Sequence, residues 1–76
     1  MPAKKSAANL ALGKAIRTVR ESKGYTQESF ASKTELDRSY YGAIERGEFN
    51  VTVDTIMTIA VGLEESATEL FKRAKL

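Results

Sequence analysis

Apolar residues recur along this chain at helical spacing. Leu12, Ile16 and Val19 stand at i, i+4 and i+7, with Lys14, Arg17 and Thr18 polar between them. That pattern belongs to a helix with one buried face, and it predicts one over residues 8–23, stopped by Gly24. Thr26 carries a hydroxyl suited to accept an orphan amide at a helix start. A short second helix is therefore expected to begin there, turn Phe30 and Ala31 inward and run to about residue 33. Asp37 is the next capping residue and predicts a third helix over 38–46, with its stop at Gly47. Only residues 34–37 join these two helices, and so short a connection forces them to pack at a steep angle. After a loop over 47–51, Thr52 caps a fourth helix whose apolar stripe is Val53, Ile56, Ile59, Ala60 and Leu63. Ser66 and Glu69 have the spacing of a capping box, opening a last helix with Leu70 and Phe71. No convincing stretch alternates β-branched with polar residues, and the one proline is Pro2. The expected class is all-α, a compact five-helix bundle without strands or internal repeats.

Size narrows the function classes. A chain of 76 residues is read as one domain over 1–76, with 1–7 as a flexible tail. Such a domain hides only about 60% of its unfolded surface, which excludes a large active-site cleft. No apolar run approaches the ~20 residues of a membrane helix, and the two lysines within residues 1–9 have no apolar stretch behind them. Neither membrane association nor a signal peptide is expected. The chain has no cysteine and no histidine, which removes thiolate metal sites, the commonest general base and the commonest transition-metal ligand. No metal, no cofactor and no enzymatic activity are expected.

Charge adds a direction. Residues 1–46 hold nine Lys/Arg against five Asp/Glu, and residues 47–76 hold three against five. A basic front and a mildly acidic back suit a polyanion-binding face with a separate partner face. They are equally the charges of an ordinary soluble surface.

The informative segment runs from Gly24 to Gly47: GYTQESFASKTELDRSYYGAIERG. A short helix opens on Thr26-Gln27 and carries the bulky-then-small pair Phe30-Ala31. A tight turn follows, and a second helix opens on a capping residue and ends Glu45-Arg46-Gly47. Over about residues 26–46 this resembles the helix-turn-helix of phage repressors and Cro proteins. Leu36, Tyr41 and Ile44 fall where that motif needs inward residues. The resemblance extends to Leu12-Gly13, to Ile16-Arg17-x-x-Arg20 and to the helix after Thr52, covering about residues 8–74. The phrase LDRSYYGAIERGEFNVTVDTI is similar to the small controller proteins of restriction–modification systems, which are compact dimeric regulators without a separate oligomerisation domain.

The resemblance implies a bacterial or phage-encoded, cytoplasmic, nucleoid-associated transcription regulator. Its partners would be a roughly palindromic operator in double-stranded DNA and a second copy of the chain, with RNA polymerase a further candidate. The regulated genes would be those of a restriction–modification system. An antitoxin of similar fold, whose main partner is a protein, is the alternative. A helical interaction module without DNA binding is a third class, and the basic N-terminal half speaks against it.

The resemblance also distributes roles. Arg38, Ser39, Tyr40 and Ala43 become candidate base contacts, Arg38 foremost, because a guanidinium just inside a recognition helix can bond guanine O6 and N7 together. Tyr40 could equally be a half-buried helper, and Ala43 a space-maker. Gln27, Arg17, Tyr41, Arg46 and Asn50 become candidate backbone contacts, and Gln27 would also brace the recognition helix. Of these, Tyr41 reads first as core, and Arg17 reads equally as ordinary surface. Lys4 and Lys5 could touch DNA from the tail. Gly42 in mid-helix costs about 1 kcal/mol relative to Ala, which either close approach to DNA or packing against another helix would explain. Arg20 and Glu45 become a structural ion pair. Met57, Val61, Leu70 and Phe71 are the candidate dimer face. Two departures stand out. The motif's usual turn glycine is replaced by Glu35, where a positive φ would cost roughly 1 kcal/mol over glycine. Glu48-Phe49 occupies the loop where controller proteins often carry a basic residue.

Overall fold

Every helix of this protein begins at a side-chain cap. The structure, a computed structural model, describes residues 6–76. Its elements are α1 (Ala7–Ser22), α2 (Gln27–Thr34), α3 (Arg38–Glu45), α4 (Val53–Leu63) and α5 (Ala67–Arg73). Ser6, Thr26, Asp37, Thr52 and Ser66 accept the backbone amides of Asn9, Ser29, Tyr40, Thr55 and Glu69 respectively. Each cap satisfies one donor the helix cannot satisfy itself, worth about 1 kcal/mol. At Thr26 the arrangement is reciprocal, because Ser29 Oγ also accepts from the Thr26 amide at 2.9 Å. Of the residues 1–7 expected as a tail, Ser6 caps α1 and Ala7 is helical, while residues 1–5 lie outside the described residues. Lys4 and Lys5 lie outside the described residues.

The turn between α2 and α3 resolves the Glu35 alternatives. Glu35 adopts the left-handed conformation, φ 59° and ψ 28°. The domain therefore carries the roughly 1 kcal/mol strain that glycine would avoid. The turn is closed by Leu36 N donating to Ala31 O at 3.0 Å, so the strained residue serves a satisfied carbonyl.

The helices close a ring of pairings: α1 against α3 and α5, α2 against α3 and α4, and α4 against α5. Inside it lie Leu12, Ile16, Val19, Phe30, Tyr41, Ile44, Ile59, Leu63 and Leu70, with Ile56, Ala31 and Ala60 completing the cluster. Two sequence expectations fail here. Leu70 was expected on a dimer face, but it is fully buried, because α5 packs between α1 and α4 and turns this residue inward. Val53 was expected in the core stripe and is 76% exposed. It stands one turn before Met57 and two before Val61, and these three are exposed while Ile56, Ile59 and Ala60 turn inward.

Glycine sets the closest helix approach. A Cβ on Gly13 would stand 2.5 Å from the carbonyl oxygens of both Ile44 and Glu45. The middle of α1 therefore lies directly on the C-terminal turn of α3 and fixes how that helix is aimed.

Candidate nucleic-acid interface

Helix α3 is eight residues long and is buried on more of its circumference than an exposed surface helix would be. α1 and α2 both pack on it. Its inner side carries Tyr41 and Ile44, and its C-terminal turn ends on Glu45, whose carboxylate is buried at the junction of three helices. Arg20 of α1 donates to it twice, Nε to Oε2 at 2.7 Å and Nη2 to Oε1 at 3.0 Å. Gln27 Nε2, from the first turn of α2, donates to Oε1 at 2.9 Å. The Tyr41 hydroxyl donates to Oε2. Arg20 Nη1 also donates to the Tyr25 carbonyl at 2.7 Å. No buried side-chain polar atom among the described residues lacks a partner.

The charges in this cluster hold one another. Burial pulls the Glu45 carboxyl upward, but the bonds from Arg20, Tyr41 and Gln27 outweigh it and keep the group below its ordinary value. The Glu45 bond keeps the Arg20 guanidinium above its own ordinary value. Burial first, then the Glu45 bond, pushes the Tyr41 hydroxyl up, so it stays a donor. The ion pair read from the sequence is present, and it is the centre of a larger network. The bracing of the recognition helix expected of Gln27 is made through its bond to Glu45, whereas Tyr41 was not foreseen in the network. The only sequence signal for Tyr41 was its place one turn before Glu45.

The outer side of α3 is what remains. Arg38 and Ser39, in its first turn, are exposed, and Tyr40 is half-buried with its ring 6.0 Å from that of Phe49. Glu28 of α2 stands beside this turn, its Oε1 3.4 Å from Arg38 Nη2. At the other end Arg46 is exposed and pairs with Glu48 at 2.8 Å. Glu48 keeps that guanidinium above its ordinary value. Between them, a Cβ on Gly42 would stand 3.1 Å from Arg46 Nη1 and 3.4 Å from Gln27 Oε1. The ends of two side chains, Arg46 at the close of α3 and Gln27 from α2, therefore lie across α3 at this glycine. Asn50 is exposed in the following loop and accepts from Asn9 Nδ2 at 2.8 Å, which ties the loop to α1. Arg17 is exposed on α1 and pairs with Glu21 at 3.4 Å.

Two candidate contacts are corrected by this geometry. Ala43 is only 3% exposed, because α1 and α2 cover α3 from two sides, so its methyl group cannot reach a base. Tyr41 is fully buried with its hydroxyl committed to Glu45, so it is no backbone contact. Arg38, Ser39 and Tyr40 stand in the first turn of α3, Arg46 caps its end, Gln27 reaches it from α2, and Asn50 lies in the following loop. Glu28, against Arg38, was missed as a participant, and Glu48 was noted only as a departure from the family's loop. Among the described residues, no helix is long and apolar enough to cross a membrane.

Comparison with known proteins converges on one family. Residues 16–70 match the family model described as "Helix-turn-helix". The control protein C.MunI of a Mycoplasma species is 40% identical over 60 residues, covering 78% of this chain and 81% of that one. The crystal structure of the restriction–modification controller protein C.AhdI from Aeromonas hydrophila superposes with a TM-score of 0.84 at 39% identity, covering 87% of this chain and 100% of that one. A controller protein solved as a tetramer with its natural 35 base-pair operator, C.Esp1396I, gives a TM-score of 0.83 at 36% identity, covering 92% of each chain.

Proposed function

The chain belongs to the helix-turn-helix family, among the controller proteins of restriction–modification systems, and from that membership we propose that it is a transcription regulator binding a two-fold operator as a homodimer. The observation that carries this reading is the exposed first turn of α3. Arg38 and Ser39 project from a helix that two capped and packed neighbours, α1 and α2, hold at a fixed angle. The N-terminal residues of such a helix read base edges in the major groove. Arg38 supplies the two parallel donors that guanine accepts, and Ser39 and the Tyr40 ring flank it. Gln27, Arg46 and Asn50 hold phosphates around this reading head, and Arg17 extends the same contact along α1. These contacts fix register and carry no sequence information.

One recognition helix per chain makes few contacts, so a second copy on a two-fold axis is needed for regulatory affinity. The relative's operator of 35 base pairs, shared by a tetramer, leaves about nine base pairs per copy, close to one helical turn and one major-groove site each. The self-association face is the outer line of α4. Val53, Met57 and Val61 recur every four residues and are 76%, 48% and 73% exposed. Phe71 of α5, 37% exposed, is a further exposed apolar residue. An apolar line of this kind on a soluble domain marks an interaction surface.

Val61→Asp tests it without touching the core. The variant should keep its helical circular dichroism, elute as a monomer in gel filtration, and lose most of its affinity for a two-fold site because the second half-site no longer gains from tethering. A variant that still elutes as a dimer places the interface elsewhere.

A further inference from the structure

Arg46, at the end of the recognition helix, is held by its own chain. Nε donates to Glu48 Oε2 at 2.8 Å and Nη2 to Glu48 Oε1 at 3.2 Å, two parallel bonds from one fork onto one carboxylate. That is the geometry in which a guanidinium takes a phosphate. The arrangement is built into the backbone. Gly47 N donates to Ile44 O at 3.0 Å and Glu48 N to Ala43 O at 2.9 Å, so the residue carrying the carboxylate is tied to the last turn of α3. On the other side Gly42 leaves the space in which Arg46 Nη1 lies back along α3 beside Gln27. Local backbone bonds and a glycine gap together position this clasp on the face that carries Arg38.

We propose that Glu48 is a built-in competitor for DNA phosphate: it fills the Arg46 fork in the unbound protein and must be displaced when the domain docks. This rests on the DNA-binding reading above. The exchange is close to neutral in charge. A phosphate gains a guanidinium, and Glu48 gives up its two Arg46 bonds beside the polyanion. The negative charge of Glu48 brought up to the phosphates retains part of the counterion atmosphere that the Arg46 contact would release. An unclasped arginine contributes about 0.9 to the log–log salt slope of duplex binding, and the clasped one contributes less. Phosphate contacts are the same on every sequence, so Glu48 weakens binding everywhere while leaving base reading by Arg38 and Ser39 untouched. It thereby raises the share of affinity that depends on sequence.

The test is a cycle of wild type, Arg46→Ala, Glu48→Gln and the double variant, titrated on a random-sequence duplex at several salt concentrations. Neither side chain belongs to the core, so all four proteins should share one circular dichroism spectrum. Glu48→Gln should tighten binding about three- to tenfold at low salt. Arg46→Ala should flatten the slope by about 0.9 per monomer in the Glu48→Gln background and by less than about half of that in the wild-type background. Equal flattening in both backgrounds overturns the proposal, because Glu48 then acts through net charge alone. Absence of salt-dependent binding by all four proteins overturns the DNA-binding reading itself, and the clasp with it.

Discussion

Arg20→Ala should lower the melting temperature by more than about 12 °C. Removing one partner of a buried ion pair leaves the other charge uncompensated, at a cost of about 3–5 kcal/mol. Each 1 kcal/mol shifts the midpoint of a domain this size by about 4–8 °C. The whole domain holds only about 4–11 kcal/mol, so the loss is a large fraction of its stability. The structural reason is specific to Glu45. Arg20 provides two of the four bonds to that carboxylate, and its third donor holds the Tyr25 carbonyl at the start of the motif. Arg17→Ala is the matched control, since its partner Glu21 is an exposed neighbour one helical turn away. It should change stability by less than about 0.5 kcal/mol. Melting curves followed by circular dichroism decide it, and an Arg20→Ala curve within 3 °C of wild type would show that the cluster contributes little.

Acid titration of the wild type reads the same cluster. The folded Glu45 carboxyl lies below its ordinary value of 4.5. Its contribution is therefore fully present above that value and lost as the pH falls through the lower folded value.

Gly13→Ala should cost about 2–3 kcal/mol, or about 10 °C or more of melting temperature. In an ordinary helix the change would be favourable by about 1 kcal/mol, because alanine is the better helix former. Here the added methyl would meet two backbone carbonyl oxygens at 2.5 Å. Backbone atoms cannot rotate aside as a side chain does, so α1 and α3 must separate. That separation also strains the Arg20–Glu45 bonds, which span the same two helices. It re-aims α3 too, so affinity for an operator should fall along with stability. Gly42→Ala is the instructive contrast. Its nearest neighbour is the Arg46 guanidinium at 3.1 Å, the end of a flexible side chain, and the helix gains alanine's propensity. Gly13→Ala melting at or above the wild-type temperature would mean that the α1–α3 crossing is looser than described.

The helices themselves were legible in the sequence because local signals were strong and agreed. Thr26, Asp37, Thr52 and Ser66 are capping residues placed ahead of apolar periodicity, and each does cap a helix. Family resemblance located the Arg20–Glu45 pair. Periodicity misled where burial depends on which other element is present. Val53 was grouped with Ile56 and Ala60, but it stands one turn before Met57 and two before Val61, and all three are exposed. Leu70 and Ala43 looked available because short helices were expected to bury one face. α3 and α5 each pack between two neighbours, and these residues are enclosed. Tyr41 was read as core, which it is, but its hydroxyl bond to Glu45 depends on a three-helix junction that no local pattern encodes. The glutamates beside Arg38 and Arg46 were visible as letters. Their pairing needed the approach of α2 to α3 and the tight turn at Gly47.

In the proposed function, α3 reads a two-fold DNA sequence through Arg38. Selection of bound sites from random duplex DNA, run in parallel with wild type and Arg38→Ala, tests it most directly. The wild type should enrich a site with two inverted half-sites about one helical turn apart, each holding an invariant G·C pair. Arg38→Ala should enrich the same site with that pair relaxed, losing about 1–3 kcal/mol per half-site on the original sequence while keeping its affinity for scrambled DNA. Enrichment of no sequence by the wild type, or an Arg38→Ala variant that weakens scrambled and selected DNA equally, would contradict the account.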